Sequence, residues 1–116
     1  MNILTASIKF PPLESANEDG LLAVGGDLSV ARLLLAYQSG IFPWYENGQP
    51  ILWWSPDPRM VLKIADFKVS KSLRKVIRSE IFTVTFNQEF SKVIKHCASV
   101  KRDGQAGTWI TSDMVE

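Results

Sequence analysis

The sequence has very few of the side chains from which metal centres and disulfide bridges are built. Its 116 residues include one cysteine, Cys97, and one histidine, His96. A single cysteine excludes an internal disulfide and a thiolate cluster, and a single histidine disfavours a histidine-based metal site. We therefore expect neither a metal nor a disulfide in this chain.

Long apolar runs are also missing. No stretch approaches the roughly 20 apolar residues that a membrane-spanning helix requires, and the N-terminal residues lack the charged and apolar regions of a signal peptide. The chain is 46% hydrophobic and 22% charged, which is typical of globular rather than disordered proteins. These features predict a cytoplasmic protein that does not contact a membrane.

Charge is distributed unevenly along the chain. Up to Asp57 there are two bases and six acids, whereas from Pro58 onward there are eleven bases and six acids. Within a helix predicted at 70–79, four basic residues recur at helical spacing: Lys71, Arg74, Lys75 and Arg78. Such a face could follow a nucleic-acid backbone. A solvated helix face explains the same pattern equally well.

The hydrophobic pattern predicts a mixture of strands and helices, an α+β chain or an incomplete α/β unit. Predicted strands lie at 21–24, 51–54, 60–64 and 82–86. A first helix is expected between the cap Ser29 and the terminating Gly40. A second helix is predicted at 70–79, and a third helix is predicted to follow the cap Asn87. Another helix start, at Thr111 or Ser112, falls so close to Glu116 that we expect the chain to be truncated.

Tryptophan is concentrated in the segment 44–54, which holds three of the four tryptophans. Trp53 and Trp54 are neighbours on a predicted strand and must face opposite sides, so one is expected in the core. Trp44 follows a proline in a loop, and Trp109 follows the polar loop 101–107. These two could form the aromatic walls of a pocket for a nucleobase or a sugar, although spacing alone does not bring them together.

The order of several motifs resembles that of the leucyl/phenylalanyl-tRNA–protein transferases. The most specific are Gly-Gly-Asp-Leu-Ser at 25–29 and Trp-Trp-Ser-Pro-Asp-Pro-Arg at 53–59. The resemblance also includes Phe-Pro-Pro at 10–12, Gly-Ile-Phe-Pro-Trp at 40–44 and Gly-Thr-Trp-Ile-Thr at 107–111. It extends over almost the whole chain.

This resemblance implies an aminoacyltransferase. The family moves leucine or phenylalanine from aminoacyl-tRNA to proteins with an N-terminal arginine or lysine, which marks them for degradation by the N-end rule. It needs no cofactor. By resemblance, Trp44 and Trp109 match the tryptophans that hold the 3′-terminal adenosine of the tRNA.

The resemblance further implies two domains. Residues 1–60 match a small N-terminal α/β domain, and residues 61–116 match the opening strands and helices of an acetyltransferase-like (GNAT) catalytic domain. The family's catalytic residues are then expected beyond Glu116. We expect the fragment alone to be inactive and to associate with itself through surfaces that truncation exposes.

Two other classes of function fit the residues without the resemblance. The tryptophans could belong to a binding module that holds a nucleobase, sugar or peptide without catalysis. They could also form the core of an oligomer in a structural interaction domain. A comparison of glycan binding with adenosine binding tests the binding module. A measurement of the protein's mass in solution tests the oligomer.

Overall fold

The computed structural model of the chain describes residues 1–104 and 107–116, so part of the predicted loop 101–107 lies outside the described residues. The fold is a mixed α+β arrangement, as predicted. The strands are β1 (Asn2–Leu4), β2 (Leu21–Gly25), β3 (Phe42–Pro43) and β4 (Leu52–Trp54). The helices are α1 (Val30–Gln38), α2 (Lys71–Arg78), α3 (Phe90–Ser99) and α4 (Ser112–Val115), with short 3-10 turns at Leu13–Ser15 and Ile64–Asp66.

The four strands form one sheet in the order β1-β2-β4-β3. β1 runs parallel to β2, whereas β4 is antiparallel to both β2 and β3. The register of β2 against β4 shifts between Leu21 and Ala23. The central strands were predicted from their apolar patterns, but β1 and the two-residue β3 were not.

Helix α1 begins and ends at the residues that the sequence predicts. The Ser29 hydroxyl accepts a hydrogen bond from the backbone N–H of Arg32 at 3.4 Å, which satisfies one of the free donors of the first turn. Gly40 then adopts a φ of 72°, a left-handed conformation that suits glycine after a helix. The chain thereby reverses into β3.

The hydrophobic core lies in the first half of the chain. It consists of five buried side chains from the sheet, from α1 and from the turn between α1 and β3: Leu22, Ala23, Ala36, Ile41 and Trp53. Trp53 is fully buried while its neighbour Trp54 is half-buried, so the prediction that the two face opposite sides of the strand is confirmed. Within the described part of residues 61–116, the only buried side chain is that of Thr111.

The strands predicted at 60–64 and 82–86 are not formed, which corrects the expectation that the second half opens with strands. No strand occurs among the described residues of 61–116. The alternating side chains of Phe82, Val84 and Phe86 are 75%, 80% and 84% exposed. A strand satisfies its backbone N–H and C=O groups only by pairing with another strand, and neither segment has such a neighbour.

Helix α2 forms as predicted, but α3 starts differently. The Ser70 hydroxyl accepts a hydrogen bond from the Leu73 N–H at 3.1 Å and so caps α2. Asn87, the predicted cap of α3, instead has a φ of 57°. Asparagine tolerates this left-handed conformation, so Asn87 turns the chain and Glu89 takes the capping position without a side-chain hydrogen bond.

An ion pair between the buried Arg32 and the partly exposed Asp27 links the start of α1 to the residue that follows β1. The Arg32 guanidinium, which is fully buried, donates to the Asp27 carboxylate at 3.1 Å and to the Thr5 carbonyl at 2.7 Å. The Asp27 carboxylate also accepts the Ser29 N–H at 2.9 Å. Hydrogen bonds from Ser29, and then from Arg32, lower the pKa of Asp27 to about 2.

This lowered pKa predicts a loss of stability in acid. Because folding lowers the pKa of Asp27 from 3.8 to about 2, its carboxylate stabilises the fold above pH 3.8, and this contribution disappears as the pH falls through about 2. Asp27→Asn should therefore unfold more easily at neutral pH and lose part of this acid dependence. Urea unfolding between pH 2 and pH 7 measures both effects, with Asp19→Asn, at an exposed position, as the control. An Asp27→Asn protein with the acid dependence of the parent would contradict the prediction.

No helix in the described ranges has both the length and the apolar character to span a membrane.

Candidate functional site

Trp44 is held by its backbone while its ring stays accessible. Its N–H donates to the Leu52 carbonyl at 2.9 Å, and its carbonyl accepts the indole N–H of Trp54 at 2.7 Å. The rings of Trp44 and Trp54 lie 6.0 Å apart between centroids, inclined at 54°. Trp44 is nevertheless 54% exposed. An aromatic ring with a fixed backbone and a free face is suited to stacking on a flat ligand.

Trp109 reaches the same region from the other end of the chain. It is 49% exposed, and it lies two residues before Thr111, which is buried. The Thr111 hydroxyl donates to the Tyr45 hydroxyl at 3.4 Å. The residue after Trp44 and a residue close to Trp109 are therefore in contact, and this contact brings the two tryptophan segments together.

Both tryptophans line a single open cavity of about 530 Å³. This volume is in the range of roughly 300–1,000 Å³ that small-molecule sites occupy. The remaining lining residues are Tyr45, Glu46, Asn47, Arg102, Gly107, Thr108, Ile110 and Thr111. The sequence had suggested Trp44 and Trp109 as candidate walls of one pocket, and the structure places both at one cavity.

A tight turn shapes the cavity next to Trp44. The N–H of Glu46 donates to the Gln49 side-chain oxygen at 3.0 Å, and the N–H of Gln49 donates back to the Glu46 carbonyl at 3.0 Å. Gly48 supplies the positive φ, 83°, that closes this turn. The side chains of Glu46 and Asn47 are thus presented to the cavity by an ordered turn.

An apolar cavity of about 550 Å³ lies on another side of Trp109. Helix α1 contributes Leu33 and Tyr37 to it, α3 contributes Phe90 and Ile94, and α4 contributes Met114. Trp109 and Ile110 line both this cavity and the one at Trp44. Trp109 therefore faces the apolar cavity on one side and the more polar cavity on the other.

The basic residues of α2 occupy a separate surface. Lys71, Arg74, Lys75 and Arg78, together with Ser79, line a shallow hollow of about 540 Å³. All four basic side chains are exposed, and none forms an ion pair with an acid of the described chain. No residue of this hollow lines the cavity at Trp44 and Trp109, which we call the tryptophan cavity. Helix α2 therefore carries a compact positive surface that is separate from the cavity at Trp44 and Trp109.

Several features of the cavity could not be recognised from the sequence. Tyr45 was not singled out, and Thr111 was named only as a possible helix start, because their contact joins positions 66 residues apart. Arg102 was counted only among the many bases of the second half.

Within the described residues, no group of three or more histidine, cysteine, aspartate or glutamate side chains is arranged to hold a metal ion.

Two family models match most of the chain. The leucyl/phenylalanyl-tRNA protein transferase N-terminal domain matches residues 26–57, and the leucyl/phenylalanyl-tRNA protein transferase model matches residues 61–116. The whole chain is 58% identical to the leucyl/phenylalanyl-tRNA–protein transferase of Flavobacterium psychrophilum and 53% identical to that of Flavobacterium johnsoniae, and it covers 55% of each relative. A match to the same enzyme of Syntrophobacter fumaroxidans is 58% identical over 97% of this chain and 48% of the relative. The chain thus spans about half the length of the curated relatives it matches.

Proposed function

This chain belongs to the leucyl/phenylalanyl-tRNA–protein transferase family, and on that premise we propose that the whole protein moves leucine or phenylalanine from aminoacyl-tRNA to proteins with an N-terminal arginine or lysine. The observation that carries the proposal is the cavity shared by Trp44 and Trp109. Through this transfer the protein marks its substrates for degradation by the N-end rule. Aminoacyl-tRNA is made in the cytoplasm, where the protein is proposed to act.

In this proposal the tryptophan cavity binds the 3′-terminal adenosine of the tRNA. Stacking of a base on an aromatic side chain contributes about 1–3 kcal/mol and tolerates any base. Trp44 and Trp109 each offer about half of their surface for such contact. The ribose and the amino acid esterified to it would lie at the open side of the cavity, where a second substrate can approach.

The reaction is the aminolysis of an ester. The α-amine of the acceptor protein attacks the carbonyl carbon of the aminoacyl ester, a new C–N bond forms, and the C–O bond to the ribose breaks. The amine loses a proton, and the ribose oxygen gains one as it leaves. The part assigned to the present residues is to position the ester by binding its adenosine.

We also propose the division of the chain into an N-terminal domain, 1–60, and the start of an acetyltransferase-like catalytic domain, 61–116. The location of the core supports the boundary, because all five residues of the hydrophobic cluster precede residue 60. The exposed apolar side chains of 60–90 would favour self-association of this chain when it is studied alone.

Transfer of labelled leucine tests the proposed function directly. Leucyl-tRNA and the whole protein should label a peptide that begins with arginine. The same peptide should remain unlabelled when its N-terminus is acetylated or its first residue is alanine. Equal labelling of all three peptides, or of none, would show that the proposal is wrong.

The basic face of α2 is proposed to contact the phosphate backbone of the tRNA. Its four exposed cations have no acidic partner among the described residues, so they are available for phosphates. The Lys71→Gln/Lys75→Gln variant should reduce the slope of log K against log salt concentration by about one unit for each phosphate that the protein no longer neutralises.

The matched control for this prediction is Lys92→Gln/Lys95→Gln, which removes the same charge from α3. Lys92 already pairs with Glu89 at 2.8 Å, so its loss should change the slope much less. Filter binding of leucyl-tRNA across a range of salt concentrations measures both slopes. Equal slopes for the two double variants would assign α2 to a solvated surface.

A further inference from the structure

Arg102 is the one cationic side chain that lines the cavity at Trp44 and Trp109 within the described residues. It is exposed and pairs with no acid there. Glu46 lines the same cavity, yet the two side chains do not approach within the 4.0 Å of an ion pair. The guanidinium is therefore available to an anion that enters the cavity.

The cations of α2 and the Arg59 side chain are less suited to an anion at this place. The cations of α2 line a hollow that shares no residue with the tryptophan cavity. Arg59 is engaged with the protein itself, since its guanidinium donates to the carbonyls of Gly40 at 2.6 Å and Pro56 at 3.2 Å. Among the described residues, Arg102 is the positive side chain that lines the cavity beside the two tryptophans.

The terminal adenosine of a tRNA carries one such group. Its 5′ carbon is joined to the preceding nucleotide through a phosphodiester, one ribose away from the base. A base held at Trp44 and Trp109 therefore brings this phosphate to the edge of the same cavity. The planar guanidinium of arginine matches phosphate oxygens with two parallel hydrogen bonds, which are shorter and stronger than neutral ones.

From this arrangement we propose that Arg102 binds the 5′-phosphate of the nucleotide whose base lies at Trp44 and Trp109. The inference rests on the proposed function, because it takes that nucleotide to be the terminal adenosine. The phosphodiester is common to every tRNA, so this contact positions the 3′ end and carries no sequence information. The contact with Arg102 would hold the nucleotide at a second point in addition to its base. Two points of contact fix the orientation of the nucleotide and therefore the direction in which its aminoacyl ester points.

Binding of adenosine and of adenosine 5′-monophosphate to the whole protein, measured by calorimetry, separates the phosphate from the base. The parent protein should bind the monophosphate about tenfold more tightly than adenosine, which is the order expected for a hydrogen-bonded charged group. Arg102→Gln should abolish this preference and leave adenosine binding unchanged. Lys101→Gln, which removes the same charge from the adjacent residue, should retain the preference.

Each other outcome has a distinct meaning. If Arg102→Gln keeps the preference, or weakens adenosine and the monophosphate equally, Arg102 does not bind the phosphate and the inference is wrong. If Trp44→Ala leaves adenosine binding unchanged, or the parent binds neither compound, the adenosine cavity of the proposed function fails, and the inference fails with it. Arg102→Lys should retain part of the preference for the monophosphate, because lysine keeps the positive charge but cannot form the two parallel hydrogen bonds of arginine.

Discussion

Replacing Trp44 with alanine in the whole protein is expected to lower kcat/KM for aminoacyl-tRNA by about 5- to 150-fold, which corresponds to the roughly 1–3 kcal/mol of one stacked base. The ring is half exposed and its backbone is fixed by Leu52 and Trp54. Its removal should therefore take away a binding surface and leave the fold intact. Initial rates of leucine transfer at subsaturating aminoacyl-tRNA measure the effect.

Three further variants test whether the loss of activity comes from the aromatic ring at the cavity. Trp109→Ala should produce a loss of the same size, because its ring lines the same cavity. Trp44→Phe should retain most of the activity, since a smaller aromatic face remains. Phe86→Ala removes an aromatic ring that is 84% exposed and lines neither the tryptophan cavity nor the apolar one, and it should transfer leucine normally. Unchanged rates in Trp44→Ala would remove Trp44 from the site.

Replacing Trp53 with alanine is expected to have the largest effect on stability, a loss of about 3–5 kcal/mol in the free energy of unfolding. Trp53 is fully buried, and its indole N–H donates to the Gly25 carbonyl at 2.8 Å. Its ring also meets Phe10 edge to face, at 5.0 Å between centroids. Alanine would leave a large cavity between the sheet and α1, and the Gly25 carbonyl would lose a donor.

Urea unfolding followed by far-ultraviolet circular dichroism measures this loss. Trp44→Ala is the matched control, because it deletes the same side chain at an exposed position and should change the midpoint little. The two variants thereby separate stability from function: Trp53→Ala should impair folding, whereas Trp44→Ala should impair transfer. A Trp53→Ala protein with the parent's unfolding midpoint would contradict the core described above.

The elements predicted well from the sequence are those specified by neighbouring residues. Helices α1 and α2 have serine caps that the structure confirms at Ser29 and Ser70. The opposite orientation of Trp53 and Trp54 follows from the alternation of side chains along any strand. In each case the deciding interaction lies within a few residues, so a local pattern is sufficient to predict it.

The elements missed or wrongly predicted depend on distant partners. β1 forms because Asn2–Leu4 pairs with residues 23–25, which no local pattern reveals. Conversely, 60–64 and 82–86 have strand-like patterns but no strand to pair with, so they do not form strands. The cavity shows the same dependence. The motifs identified Trp44 and Trp109, but only the fold places Arg102 beside them.

The contact between Thr111 and Tyr45 joins the two segments that form the walls of the tryptophan cavity. The two walls of the cavity come from segments that are in contact through this buried pair of hydroxyls. A nucleotide that touches both walls can bind only while the segments are in contact. Its binding therefore holds the two segments together, and they can separate again when it dissociates. Its occupancy should stabilise the joined arrangement by an amount that grows as the logarithm of its concentration. If the proposed function holds, aminoacyl-tRNA would raise the protein's resistance to unfolding as well as serve as its substrate.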